Sequence, residues 1–255
     1  MRPRFAAALL SLLPLALPVE AQIPDKFTNL KVLPADIARG DLIGTMRGFA
    51  TSLGVRCNHC HVGPASGELE GADFASDEKE TKRTARLMMQ MVRVINGEHL
   101  SHIGGEHLSH IGTDREVACF TCHRGASLPS RLEDELFAAW RAGGTDSLVA
   151  GYRGLRQQYY GRAIFDFGAQ TLAAAAELLG ATANGAAGTQ AALAALQLET
   201  EYFPEYGIGW ALLGGVLAQS GDTAKAVAAL QRATSLMPGN AQVQRMLQRL
   251  QGNRP

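Results

Sequence analysis

The chain is expected to fold as a mainly α-helical protein in two parts. A helical domain is built around two C-x-x-C-H frames, and a short array of α-hairpins follows it. Three observations lead there. Apolar residues recur at helical spacing beside both frames. Ala and Gly abound while aromatics make up 6% of the chain, which suits close helix packing rather than a β-sandwich. A 34-residue period runs through the last third.

The first residues read as a secretory signal. Met1-Arg2-Pro3-Arg4 is a short basic start, Phe5 to Leu17 is apolar, and Val19-Glu20-Ala21 resembles a cleavage site. Residues 1–21 are therefore expected to be removed, with the mature chain exported to the periplasm, either free or peripheral to the inner membrane. The apolar stretch is short for a span and holds Pro14 and Pro18. With 24 basic and 24 acidic residues, formal net charge is zero. Nothing in that balance points to a nucleic-acid partner.

Residues 22–128 are read as the first domain. Its first helix starts near Pro34 and Asp36, carries Leu42, Met46, Phe49 and Leu53 on one stripe, and stops at Gly54. The chain then turns into Cys57-Asn58-His59-Cys60-His61. A second helix runs from about Ser76 to Ile95, with Asp77 and Glu80 as a capping-box-like pair. It presents Leu87, Met88, Met91, Val92, Val94 and Ile95, of which Met88 reads as core. The second frame is Cys119-Phe120-Thr121-Cys122-His123.

The two frames use all four cysteines. C-x-x-C-H is the spacing of c-type haem attachment. Each thiol adds to one vinyl group, and a two-residue gap lets one turn of backbone reach both. The next residue then offers its imidazole to the iron. A disulfide suits an exported protein too, and four thiolates could hold zinc. The halves are too far apart for a usual zinc site, however, and each is followed by His. The expected cofactors are two covalently bound haem c groups. Cys57, Cys60, Cys119 and Cys122 form the thioethers, and His61 and His123 are the proximal ligands. His59 is a spacer.

For the first haem, Met46 is the expected sixth ligand, being the only Met or His on the helix that leads into the frame. For the second, Met91 is the first choice, because Met91-Val92-Arg93 aligns with Met46-Arg47-Gly48 when the two units are superposed by eye. The alternatives are His99, His102, His107 and His110, supplied by an octapeptide at 97–104 that repeats unchanged at 105–112. Identical copies also fit a recent duplication in a tolerant loop.

Residues 28–125 resemble the cytochrome c subunit of the photosynthetic reaction centre. The resemblance rests on Leu53-Gly54-Val55-Arg56-Cys57-Asn58-His59-Cys60-His61 behind Met46, on Phe74-Ala75, and on Met91 to Asn96 leading to Cys119-Phe120-Thr121-Cys122-His123-Arg124-Gly125. It implies the last two haem units of a four-haem protein, helical methionine ligation, and a role in re-reducing a photo-oxidised donor. The family's first two haem units, the His between them and its lipid-anchoring Cys have no counterpart here.

Residues 129–172 are read as a helical linker and packing segment, loose up to about Thr145. Residues 173–251 are read as repeats resembling tetratricopeptide units with a capping helix. Leu179-Gly180, Ala192, Leu196 and Pro204 return 34 residues later as Leu213-Gly214, Ala226, Leu230 and Pro238. Gly188 and Gly221-Asp222 are the expected turns, and Gly214 and Ala226 are expected to let helices approach. Such arrays bind proteins or peptides.

Function is thus expected to be electron transfer between redox partners, a membrane-bound photosynthetic or respiratory complex among them, and not enzymatic turnover. Two other readings stay open: a peroxidase-like dihaem enzyme with one open iron, and a repeat-based interaction module bearing haems.

Overall fold

The computed structural model describes residues 23–24, 26–66, 69–100, 116–182 and 185–252. The leader expected at 1–21 lies outside them. Helix α1 spans Arg39–Leu53 and stops at Gly54, which takes φ 66° and donates its amide back to the Ala50 and Thr51 carbonyls. That left-handed stop suits glycine. The helix begins later than Pro34, because 34–37 close a separate turn with Ile37 N–H on the Pro34 carbonyl at 3.3 Å.

Helix α2 spans Glu80–Val94 and continues as a π-helical turn, Ile95–Leu100. Its N-cap, Lys79, makes no side-chain cap. The expected capping role of Asp77 is therefore wrong. Its carboxylate is taken by Asn29 at 2.9 Å, Lys31 at 2.6 Å and Arg86 at 2.6 Å. Charged donors outcompete a backbone amide for one acceptor. Helix α3 is the short Cys119–His123.

Helix α4 runs from Leu132 to Tyr159 with a non-helical break at Gly143 and Gly144, so the connection expected to be loose up to Thr145 is helical from Leu132 to that break. Leu132 and Leu136 are buried on one face, which anchors its start. The looseness read from Gly143 and Gly144 is only a kink there, with Gly144 at φ 71° and ψ −158°, a conformation essentially restricted to glycine.

Four further helices complete two hairpins: α5 Ala169–Thr182 with α6 Ala186–Tyr202, and α7 Gly207–Gln219 with α8 Thr223–Leu236. Helix α9, Ala241–Gly252, covers the end through Val243, which packs with Leu230 and Ala233. The main core gathers Leu136, Leu148, Tyr152, Leu172, Leu179 and Leu196 with many alanines. Gly188 makes no turn. It is buried inside α6, and Gly185 at φ 72° turns the chain before it. Asp222 caps α8, accepting from the Lys225 amide at 3.2 Å.

Small residues set the α7–α8 spacing. A Cβ on Gly214 would stand 2.6 Å from Leu230 Cγ and 3.3 Å from the Ala226 carbonyl oxygen. Gly214→Val is expected to destabilise this hairpin by about 1–3 kcal/mol through overpacking. Gly180→Ala, whose Cβ would meet Ala192 at an ordinary 3.8 Å, should cost far less. Urea unfolding followed by far-ultraviolet circular dichroism compares the two variants.

Among the described residues there is no strand, only an isolated bridge between Val62 and Asp73. No described helix is long and apolar enough to cross a membrane. The chain divides into two compact units between Ser127 and Leu128.

Candidate functional site

The two C-x-x-C-H frames lie in the first unit, each wound into a helical turn. In the first, the Cys60 and His61 amides both donate to the Cys57 carbonyl, at 3.2 and 3.0 Å. In the second, the frame is α3 itself, and Thr121 Oγ1 accepts from the Ala118 amide at 3.0 Å. Turns of this kind put residues i and i+3 on one side, as a pair of thiols serving one flat molecule requires. All four cysteines are unbridged.

The frames are stitched together at their flanks. The Gly125 amide, just past the second frame, donates to the Ser52 carbonyl at 2.8 Å, at the end of α1. A Cβ on Gly54, just before the first frame, would stand 2.0 Å from the Gly125 oxygen. The exit of one frame therefore rests on the entrance of the other.

The start of α2 grips the first frame. Lys79 Nζ donates to the Asn58 carbonyl, and Thr81 Oγ1 donates to the His59 carbonyl at 2.5 Å. Lys82 is buried and its ammonium donates to the Phe74 and Ser76 carbonyls at 2.7 Å each. The Phe74 ring then lies 5.0 Å from the His61 ring, tilted. The far end of α2 grips the approach to the second frame. The Asn96 side chain donates to the Val117 carbonyl at 2.9 Å and accepts from its amide at 2.8 Å. Asn96 and Phe74 belonged to the strings already singled out. Lys82, Thr81 and the Asp77 cluster did not. The spacing of Lys79, Lys82, Arg83 and Arg86 on one helical face was the signal that could have found them.

The two imidazoles are set differently. His123 Nδ1 lies 2.9 Å from the Ala126 carbonyl oxygen. Donation there leaves Nε2 bare, which is the tautomer a metal ligand needs. His61 Nδ1 is buried with no hydrogen-bond partner. Burial, and then the nearby Lys82 charge, hold the His61 imidazole below its usual value, favouring the neutral, ligating form. Burial likewise pushes the Cys60 and Cys119 thiols up.

Met46 is half-buried on α1. Met91 is exposed on α2, and so is Met88, which is therefore not core. With Leu87 and Val94 they form an apolar stripe that no described residue covers. A contiguous exposed apolar surface on an amphipathic helix is built to be covered. His99 is exposed in the π-helical turn, while His102, His107 and His110 lie outside the described residues. Thiol pairs in helical turns, a histidine after each and an uncovered apolar stripe form a donor set and bed that fit c-type haem. No cluster of three His, Cys, Asp or Glu side chains suited to a bare metal ion occurs among the described residues.

Residues 20–135 match the family model described as photosynthetic reaction centre cytochrome C subunit. The photosynthetic reaction center cytochrome c subunit of Thermochromatium tepidum is 30% identical over 105 residues, covering 40% of this chain and 22% of that protein. The matched stretch thus spans about a fifth of that curated relative's length. The first unit is similar to an electron-carrying c-type cytochrome; the second lies almost wholly beyond the match.

Proposed function

We propose that the first unit is an exported electron carrier of the reaction-centre cytochrome c kind, bearing two haems bound through Cys57/Cys60 and Cys119/Cys122. His61 and His123 are the proximal ligands. Met46 is the sixth ligand of the first haem and Met91 that of the second, with His99 the described alternative. The haems supply reversible one-electron chemistry when bound. The protein residues do the rest. Lys79, Thr81 and Lys82 hold the first frame's backbone, Asn96 holds the approach to the second, and Ala126 sets the His123 tautomer.

The observation that carries this reading is the junction of Gly125 with Ser52 and Gly54, which joins both frames in one unit. Electron carriers need cofactors held at a constant separation, and a backbone contact between attachment segments supplies that. The cytochrome domain is taken as 22–128, the packing segment as 129–172 and the tetratricopeptide-like repeats as 173–251. Cleavage after residue 21 and residence in the periplasm belong to the same proposal. So does delivery of electrons to a membrane-bound photosynthetic or respiratory complex, the photosynthetic one being suggested by the relative's name.

Mass spectrometry of the exported protein after denaturation tests the core of it. The expected result is two haem masses retained per chain, falling to one in Cys119→Ser/Cys122→Ser. A colourless denatured chain would end the proposal. Met46→His should lower one reduction potential, because methionine ligation raises it. Electron paramagnetic resonance types the new ligand, and unchanged spectra would remove Met46 from the set.

A further inference from the structure

Arg156, on α4 in the second unit, carries a charge that no acid among the described residues answers. Its guanidinium carbon lies 4.1 Å from the centroid of the Tyr160 ring and 4.6 Å from that of Tyr202. One of its nitrogens donates to the hydroxyl of fully buried Tyr152 at 3.2 Å. Among the described residues no carboxylate meets it. Glu201, beside the same wall, is taken by Arg153 at 3.0 Å. Aromatic faces hold a guanidinium with about 0.5–2 kcal/mol. They fix its plane without cancelling its charge. Of arginine's five N–H donors, one is spent on Tyr152.

Arg153, Arg156, Gln157, Tyr160 and Tyr202 line a shallow cleft of about 480 Å³ that is largely open to solvent. We infer that this cleft is a peptide-carboxylate site, in which Arg156 clamps the carboxylate of an extended segment of a partner protein. The planar fork of arginine matches a carboxylate edge to edge. Charge favours a monoanion: Arg153 and Arg156 against Glu201 leave one net positive charge, which a carboxylate neutralises and a phosphate dianion would overshoot. The rest of the wall suits a peptide. Tyr160, 63% exposed, offers a ring face, and Gln157 offers both a donor and an acceptor to a backbone. Nothing in this inference depends on the haems.

Isothermal titration of the holoprotein tests it with four probes: Ac-Ala-Ala-Leu with a free carboxylate, the same peptide as its amide, Ac-Ala-Asp-Leu amide, and sodium acetate. The expected result is that at least one carboxylate peptide binds tenfold or more tighter than the neutral amide. The free-acid and Asp probes distinguish a chain terminus from an acidic side chain. Arg156→Gln should erase the preference. Arg156→Lys, which keeps the charge and loses the fork, should retain only part of it and stands in if the Gln variant melts early. Three outcomes overturn the inference: an amide that binds as well as the acids, acetate that binds as tightly as the peptides, or a preference that survives Arg156→Gln.

Discussion

Gly54→Ala is expected to destabilise the first unit strongly and, on the proposed function, to lower the haem content at both frames together. Gly54 sits at φ 66°, where a side chain costs about 1–2 kcal/mol. That alone would be tolerable. The added Cβ would also stand 2.0 Å from the Gly125 carbonyl oxygen and 2.9 Å from its carbon. The obstacle is backbone and cannot rotate aside, so α1 and the exit of the second frame must separate. Overpacking adds about 1–3 kcal/mol, for a total of about 2–5 kcal/mol. Small domains are stable by only about 5–15 kcal/mol.

Gly71→Ala is the matched control, since Gly71 has φ 73° and nothing within 4 Å of its Cβ position. It should show the backbone cost alone. Thermal unfolding and haem absorbance per chain of the exported proteins measure both variants. Equal effects from the two would mean that the Gly54–Gly125 approach does not join the frames.

The second large effect is a dependence of stability on pH set by Glu199. This α6 carboxylate is fully buried, and neither oxygen has a hydrogen-bond partner. Burial pushes its carboxyl up to about 7, from an ordinary 4.5. Between those values the unfolded chain is ionised at this position and the folded chain is not. The folded state therefore holds the extra proton, and stability falls as pH rises from 4.5 to 7, then levels off. The gap corresponds to about 3 kcal/mol.

The second unit has neither histidine nor cysteine, and its shifted aspartates, Asp134 and Asp222, move downward, away from this window. Glu199→Gln should flatten the slope, leaving the variant relatively more stable at pH 8 than at pH 5. Urea unfolding at pH 5, 6, 7 and 8 gives the comparison. An unchanged slope would show that Glu199 is ionised or solvated in the folded chain. Gly209 is part of the same feature: its Cβ position lies 2.8 Å from the Glu199 carboxyl carbon, so α7 approaches the carboxylate through a glycine.

The chemistry of the first unit was legible because it is local. Two thiols and an imidazole within five residues need only one helical turn to converge, so Cys57 to His61 and Cys119 to His123 could be read as candidate attachment frames without a fold. Helix ends governed by one residue were equally readable, as Gly54 and Asp222 show. Asp77 misled because a capping acid and a salt-bridged acid look alike until the cations meet it, and Lys31 lies 46 residues away. Gly143 and Gly144 do interrupt the helix, as their non-helical φ/ψ show, but the stretch before them is ordered because Leu132 and Leu136 bury a face there.

By itself the sequence determined the two C-x-x-C-H frames, the helical class and the small residues between hairpin helices. Each depends on covalent spacing or on a period of a few residues. Only the tertiary structure decided that Gly125 rests on Ser52 and Gly54, that Tyr202 comes to cover Arg156 from 46 residues away, and that Glu199 loses its water. Those are contacts between distant segments, and their energies come from desolvation and close approach. Neither exists until the chain has packed.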